Sequence, residues 1–155
     1  MVAVLRESVI FLADLVRAMR VDCDVDFLSL SAYSGHNSPS GVVRVIKDTE
    51  LPLEKRHVVL VEDVVDTGLS LAFLMRTLEE RHPKALKVCT LVDKPARRIA
   101  QPPIHYWGFR TDEFLVGYGL DFRGLYRNLP FMAGVSNLAA LAAEPTALLD
   151  LYVQG

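Results

Sequence analysis

Between His57 and Ser70 the chain passes from an apolar run into two adjacent carboxylates, a third acid and a Thr-Gly turn, reading His-Val-Val-Leu-Val-Glu-Asp-Val-Val-Asp-Thr-Gly-Leu-Ser. Residues of these types in this order can hold a phosphorylated sugar. Val58 to Val61 is an unbroken β-branched and aliphatic run, the pattern of a strand buried on both faces of a parallel sheet. The periodicity from Ser70 to Arg81 predicts a helix with Leu71, Leu74, Met75 and Leu78 on one face and Arg76, Glu79, Glu80 and Arg81 mostly on the other. The junction then lies at the carboxyl end of a strand, where open α/β sheets bind ligands. Thr67, Gly68, Leu69 and Ser70 would sit where a helix N-terminus exposes unpaired backbone N–H groups, and two hydroxyls with a glycine let a phosphate approach closely. Glu62 and Asp63 would repel that phosphate, so vicinal sugar hydroxyls or a hydrated Mg²⁺ suit them better. Asp66 remains as the acid between the sugar and phosphate subsites. The plain alternative is a helix N-cap with a solvated acidic first turn, the better reading for any isolated short motif.

Here the whole run agrees, and it resembles the phosphoribosyl pyrophosphate signature of type I phosphoribosyltransferases in the form used by hypoxanthine-guanine phosphoribosyltransferases. Other segments follow that family's order. Val2-Ala3-Val4-Leu5-Arg6-Glu7-Ser8 resembles the first strand and turn, which implies that backbone there and Arg6 meet pyrophosphate, with Glu7 beside it. Phe27 to Tyr33, followed by a small polar stretch and Gly41 to Ile46, resembles the loop that closes over the reacting centre, with Tyr33 as its aromatic. Asp93-Lys94-Pro95 resembles the base-reading segment, implying that the Lys94 ammonium donates to the 6-oxo group of a purine. Asp112 to Asp121 resembles the purine shelf and metal site, with Phe114 stacking on the base, the Leu115 backbone holding it, and Asp121 joining Glu62 and Asp63 at Mg²⁺. Tyr126-Arg127-Asn128-Leu129-Pro130 resembles the segment that supplies a pyrophosphate arginine, Arg127. The similarity runs from Val2 to about Val135.

Taken singly, these residues have bland readings. Lys94 and Arg127 are ordinary surface charges, Phe114 is core filling, Asp121 caps a turn, and Ser34 to Ser40 is a loop on composition alone. The chain also departs from the family's pattern. It begins almost at the pyrophosphate-binding strand, so the expected fold is the type I phosphoribosyltransferase fold with a reduced hood over the purine. Glu7 stands where glycine is usual, which brings a carboxylate beside pyrophosphate. Ala32 stands where a serine is usual, and Ser70 stands where threonine is commoner but keeps a hydroxyl.

The resemblance implies purine salvage: transfer of a 5-phosphoribosyl group from phosphoribosyl pyrophosphate to hypoxanthine or guanine, giving IMP or GMP and pyrophosphate, with Asp66 as the catalytic acid-base group. Xanthine is a further candidate base, decided by contacts to the purine 2-position. The alternative function is a catalytically weak or inactive nucleotide-binding or regulatory relative on the same fold. Dimers or tetramers are implied as well.

Elements that must position these groups read as an α/β fold, a parallel-centred twisted sheet flanked by helices. A strand through Leu5 leads to a helix over Ser8–Arg20 with Ile10, Phe11, Leu15 and Met19 inward. Val25–Ser31 and Lys87–Val92 are strands, Val42–Ile46 is a neighbouring or hairpin partner, Lys47–Arg56 is a polar connection, and Lys94–Pro103 is a Pro-rich loop. Residues 1–155 fit one domain, with Ser136–Gly155 as a C-terminal extension that forms a short amphipathic helix.

With 17 basic and 19 acidic residues the formal charge is −2, which leaves no general electrostatic footprint for nucleic acid. Arg6, Glu7, Asp14 and Arg17 interrupt the apolar N-terminal run, so it is not a membrane span. Cys23 and Cys89 form no CxxC pair and the four histidines show no metal-ligand spacing, so a reduced, cytoplasmic setting is expected.

Overall fold

A computed structural model describes residues 1–33 and 42–153, with only the backbone of residues 32, 33, 42 and 43. The elements run β1 (Val2–Leu5), α1 (Val9–Ala18), β2 (Asp26–Tyr33), β3 (Val42–Lys47), β4 (His57–Val65), α2 (Leu69–Glu79), β5 (Ala85–Asp93), β6 (Tyr106–Arg110), β7 (Phe114–Val116), β8 (Ala133–Val135) and α3 (Leu138–Ala143). Six strands form one sheet in the order β3-β2-β1-β4-β5-β6. β1 pairs in parallel with β2 on one side and β4 on the other, β5 and β6 continue in parallel, and β3 runs antiparallel to β2. The chain therefore changes direction across the sheet between β1 and β4. In an open α/β sheet the crevice at the carboxyl ends of such a strand pair is the ligand site, and it is the place where Arg6–Ser8 and Asp66–Ser70 emerge.

β4 is buried on both faces as its sequence predicts. Val58 and Leu60 join Leu28, Val88 and the α2 stripe Leu71, Leu74, Met75 and Leu78 in one core layer. Val61 joins Ala3 and Leu12 in the other, with Phe11, Leu15 and Val16 of α1 packed around them. Each fully buried Val, Leu or Met of these layers contributes roughly 1.5–3 kcal/mol by leaving water. Several boundaries differ from expectation. β4 runs on past Val61 to Val65, so Glu62 and Asp63 are strand residues rather than loop residues. α1 is shorter than Ser8–Arg20, and Ile10, predicted inward, is 42% exposed while Leu12 takes the innermost place at 3%. Apolar residues surround this helix, so periodicity left its phase open; packing of Leu12 against Ala3 and Val61 sets it. α2 begins at Leu69 and stops at Glu79. The polar connection before β4 carries one buried anchor, Leu53. The Pro-rich loop after β5 contains a 3-10 turn over Pro95–Arg97, and the β6 edge strand that follows it was not read from the sequence.

β7 and β8 form a separate antiparallel pair. Its core of Val116, Tyr126, Leu129 and Leu141 draws the last of these from α3, so the C-terminal extension packs on this smaller sheet. Tyr126 ties the layers together, donating its hydroxyl to the Pro145 carbonyl and accepting from the Leu148 N–H at 3.2 Å. Among the described residues no helix is long and apolar enough to cross a membrane.

Candidate active site

Strand geometry separates the two vicinal carboxylates, because successive side chains of a strand point to opposite faces. Glu62 follows Val58 and Leu60 to the α2 face, where a cavity of about 310 Å³ is lined by Glu7, Glu62, Asp66, Thr67, Gly68 and Ser70. Asp63 points the other way, into an adjoining cavity of about 490 Å³ that also holds Asp66, Lys94, Phe114, Leu115 and Asp121. Glu62 and Asp63 therefore line different, adjoining cavities. Glu7, Val64 and Asp66 line both and form the boundary.

Both carboxylates are held against ionisation. Burial, then the charges of Asp63 and Glu7, push Glu62 well above the usual carboxylate range. Burial chiefly raises Asp63 to about 6, against its own and the Val64 backbone hydrogen bonds. A cation or sugar hydroxyl at either group would relieve that cost.

The turn that follows is rigidly built. Gly68 caps α2 with φ +79°, a left-handed conformation that disfavours any side chain, and a Cβ there would lie 2.5 Å from the Ala100 carbonyl oxygen. Backbone N–H groups of Ile99 and Ala100 both donate to the Thr67 carbonyl, at 2.8 and 3.0 Å, and that of Lys94 to Val65 at 3.0 Å. Arg98, whose side chain is 6% exposed, donates to the carbonyls of Asp66 (3.1 Å) and Val65 (3.2 Å) and pairs with the buried Asp93, which Arg110 also approaches at 3.0 Å. The loop after β5 is thus strapped to the loop after β4. Asp66 Oδ1 lies 3.1 Å from Arg97 Nε, yet the alignment makes no hydrogen bond, and among the described residues this buried oxygen has no hydrogen-bond partner. It is ion-paired with the Arg97 guanidinium at the boundary the two cavities share.

Lys94 is 5% exposed, and its ammonium donates to the Glu113 carbonyl at 2.6 Å, which leaves further donors for an acceptor in the cavity. Phe114 stands edge-on to Phe122 with ring centroids 5.9 Å apart, fixing the ring at the cavity wall. On the β1 side, Arg6 is exposed, the Leu5–Arg6 peptide is cis, and the Arg6 N–H donates to Glu7 Oε2 at 3.0 Å. Arg127 Nη2 lies 2.9 Å from both Glu7 and Asp121, and Nη1 donates to the Gly119 carbonyl at 2.9 Å. Burial opposes ionisation of Glu7, but hydrogen bonds from its own backbone, Arg127 and the Arg6 N–H outweigh it and lower its pKa.

The structure therefore gathers Glu7, Glu62, Asp63, Asp66, Thr67, Gly68, Ser70, Lys94, Phe114, Leu115 and Asp121 around two joined cavities, with Arg127 reaching them through Glu7 and Asp121. Leu69 contributes the first turn of α2 and is 50% exposed outside both. Tyr33 ends β2, but its side chain and the proposed closing loop Ser34–Ser40 lie outside the described residues. Arg97, Arg98 and Leu138 were missed. The Arg-Arg doublet after Pro95 was the available signal for the first two; Leu138 comes from α3 to line the Asp63 cavity, and nothing in its local sequence marks it.

A family profile described as phosphoribosyl transferase domain matches residues 1–123. The chain belongs to the phosphoribosyl transferase family. Among its curated relatives is a hypoxanthine-guanine phosphoribosyltransferase of Mycobacterium avium, 45% identical over 133 residues, an alignment that covers 85% of this chain and 66% of the relative. The chain thus spans about two thirds of that relative's length. A crystal structure of a hypoxanthine-guanine phosphoribosyltransferase from Bacillus anthracis, with a HEPES molecule in its active site, superposes with a TM-score of 0.81 at 45% identity, covering 86% of this chain and 79% of that one. Hypoxanthine phosphoribosyltransferase from Trypanosoma cruzi in complex with its product IMP gives a TM-score of 0.80 at 36% identity, covering 86% and 72%. These likenesses agree with the mixed, mostly parallel sheet of the type I phosphoribosyltransferase fold.

Proposed function

We propose that this chain transfers the 5-phosphoribosyl group of phosphoribosyl pyrophosphate to N9 of hypoxanthine or guanine, releasing pyrophosphate. The observation that carries the reading is the junction of a phosphate cradle and a purine-type wall at one carboxylate, Asp66, which lines both cavities. In this scheme the α2 N-terminus with Thr67 and Ser70 binds the 5-phosphate, and Glu62 takes the ribose hydroxyls. Phe114 stacks on the base, Lys94 donates to its 6-oxo group, and the Leu115 backbone fixes its edge. C1′ acquires oxocarbenium character as pyrophosphate departs, so the protein's task is to neutralise the leaving group and hold the base in line. Arg127 and the Arg6 turn serve the first purpose, and Asp66 accepts the proton lost by the purine ring.

Mg²⁺ fits as a hydrated ion shared with substrate oxygens. Among the described residues no three His, Cys, Asp or Glu side chains converge as a cage, and Mg²⁺ is commonly held by one or two carboxylates plus phosphate oxygens. Asp63 and Asp121, which line one cavity, would hold it, with Glu62 on the far face of β4 as a ligand only through the sugar. When bound, the ion would offset charge on the departing pyrophosphate.

We also read residues 1–155 as one domain whose segment 136–155 completes the smaller sheet, supported by the burial of Leu141 in that core. The exposed aromatics Tyr106, Trp107 and Phe109 on edge strand β6 support a homodimer or homotetramer, and the free thiols of Cys23 and Cys89 suit the cytosol. The test is Mg²⁺-dependent formation of IMP or GMP by the full chain, with Asp66→Asn as control. We expect turnover to fall by about 10²–10⁴-fold with substrate binding retained. Nucleotide binding without turnover in the unaltered chain would favour instead the non-catalytic relative, a reading to which the Glu7–Arg127 pair lends support.

A further inference from the structure

Arg127 is the only cation among the proposed pyrophosphate groups whose guanidinium is already engaged by carboxylates within the described residues. Its Nη2 lies 2.9 Å from Glu7 Oε1 and 2.9 Å from Asp121 Oδ1, while Nη1 is spent on the Gly119 carbonyl at 2.9 Å. Glu7 is held in that position from several sides. Its second oxygen accepts from the Arg6 N–H at 3.0 Å, and its backbone is pressed by the 117–121 turn so closely that a Cβ on Gly119 would stand 2.2 Å from the Glu7 carbonyl oxygen. That turn is tied in turn to Arg127, whose carbonyl accepts from the Gly119 N–H at 2.9 Å, and to α1, where the Tyr118 hydroxyl donates to Asp14. Glu7 therefore uses both oxygens on donors of the anion-binding turn: one backbone N–H and one guanidinium. It also lines both cavities, at their shared boundary.

We propose that Glu7 is an internal counter-anion for the pyrophosphate subsite, so that an incoming pyrophosphate must displace its carboxylate from Arg127 and the Arg6 N–H. Glu7 on this view sets the affinity of that subsite without entering the chemistry. The inference rests on the phosphoribosyltransferase reading, because it takes Arg127 and the Arg6 turn as the pyrophosphate groups. A partly exposed carboxylate–guanidinium pair is worth up to about 1 kcal/mol, which converts to about a fivefold change in affinity.

The experiment is calorimetric titration of inorganic pyrophosphate, with Mg²⁺, into the full chain and its Glu7→Gln, Arg127→Met and Glu7→Gln/Arg127→Met variants, each checked by thermal melting. We expect Glu7→Gln to bind about fivefold more tightly than the unaltered chain and the same substitution to change little once Arg127 is gone. Equal gains in both backgrounds would show a general charge effect and overturn the counter-anion role; no gain in either would overturn it too. In both of those cases measurable pyrophosphate binding by the unaltered chain leaves the phosphoribosyltransferase reading standing. Absence of pyrophosphate binding in all four proteins would overturn the subsite assignment and this inference with it.

Discussion

Replacing Arg98 by Met keeps most of the side chain's volume and removes its guanidinium from the strap between the two loops. Three interactions are lost: donation to the Asp66 carbonyl at 3.1 Å, donation to the Val65 carbonyl at 3.2 Å, and the pair with Asp93. Asp93 is 5% exposed at its side chain and, among the described residues, keeps only Arg110 as a partner, which is 53% exposed and 3.0 Å away. Removing one partner from a buried ion pair costs about 3–5 kcal/mol. The remaining arginine offsets part of that, so we expect a loss of about 2–4 kcal/mol, or roughly 5–15 °C in melting temperature for a chain of this size. Urea denaturation measures the first quantity and calorimetry the second. The loss should be accompanied by faster amide exchange at Ile99 and Ala100, which donate to Thr67, and by weaker binding of phosphoribosyl pyrophosphate. Arg97→Met is the matched control; its partner Asp66 is 39% exposed, and it should change stability by less than about 0.5 kcal/mol. A loss under about 1 kcal/mol for Arg98→Met with unchanged exchange would refute the idea that this arginine holds the Asp66–Gly68 turn in place.

Gly68→Ala should be destabilising although it adds a single methyl. The left-handed φ of +79° costs about 1–2 kcal/mol for a side chain, and the new Cβ would stand 2.5 Å from a carbonyl oxygen that its own hydrogen-bonded strand of loop cannot easily move. Denaturation should register roughly 2–4 kcal/mol, with phosphate affinity falling alongside; unaltered phosphate binding would separate this turn from the cradle. The burial that lifts Asp63 to about 6 from 3.8 has a stability signature as well. The folded state holds the extra proton, so this group's contribution is fully present below pH 3.8 and is lost as pH rises through about 6, with Glu62 acting in the same direction. Asp63→Asn should flatten that slope in denaturation curves recorded across the window, and an identical slope in the variant would contradict the assignment.

Much of this molecule was legible in its residues because the local signals were strong and agreed. The apolar run ending at Val61 fixed β4 as a doubly buried strand, the Leu71–Leu78 stripe fixed the face of α2, and the Thr67-Gly68 turn marked the junction between them. Those features depend on neighbours in sequence, where side-chain period and turn chemistry act. That Lys94, Phe114 and Asp121 share one cavity was legible only through resemblance, since single charges and aromatics carry no local mark of their partners. Tertiary structure alone decided the rest. The continuation of β4 through Asp63 sends Glu62 and Asp63 into different cavities, an outcome set by pairing with β5 rather than by their own side chains. The phase of α1 came from packing of Leu12, the strap by Arg98 from a loop meeting another more than thirty residues away, and the Glu7–Arg127 pair from the segment around Gly119 and Arg127 closing on the turn after β1. Such contacts join residues distant in sequence, where no periodicity links them, and only the closed chain brings their charges within reach of each other.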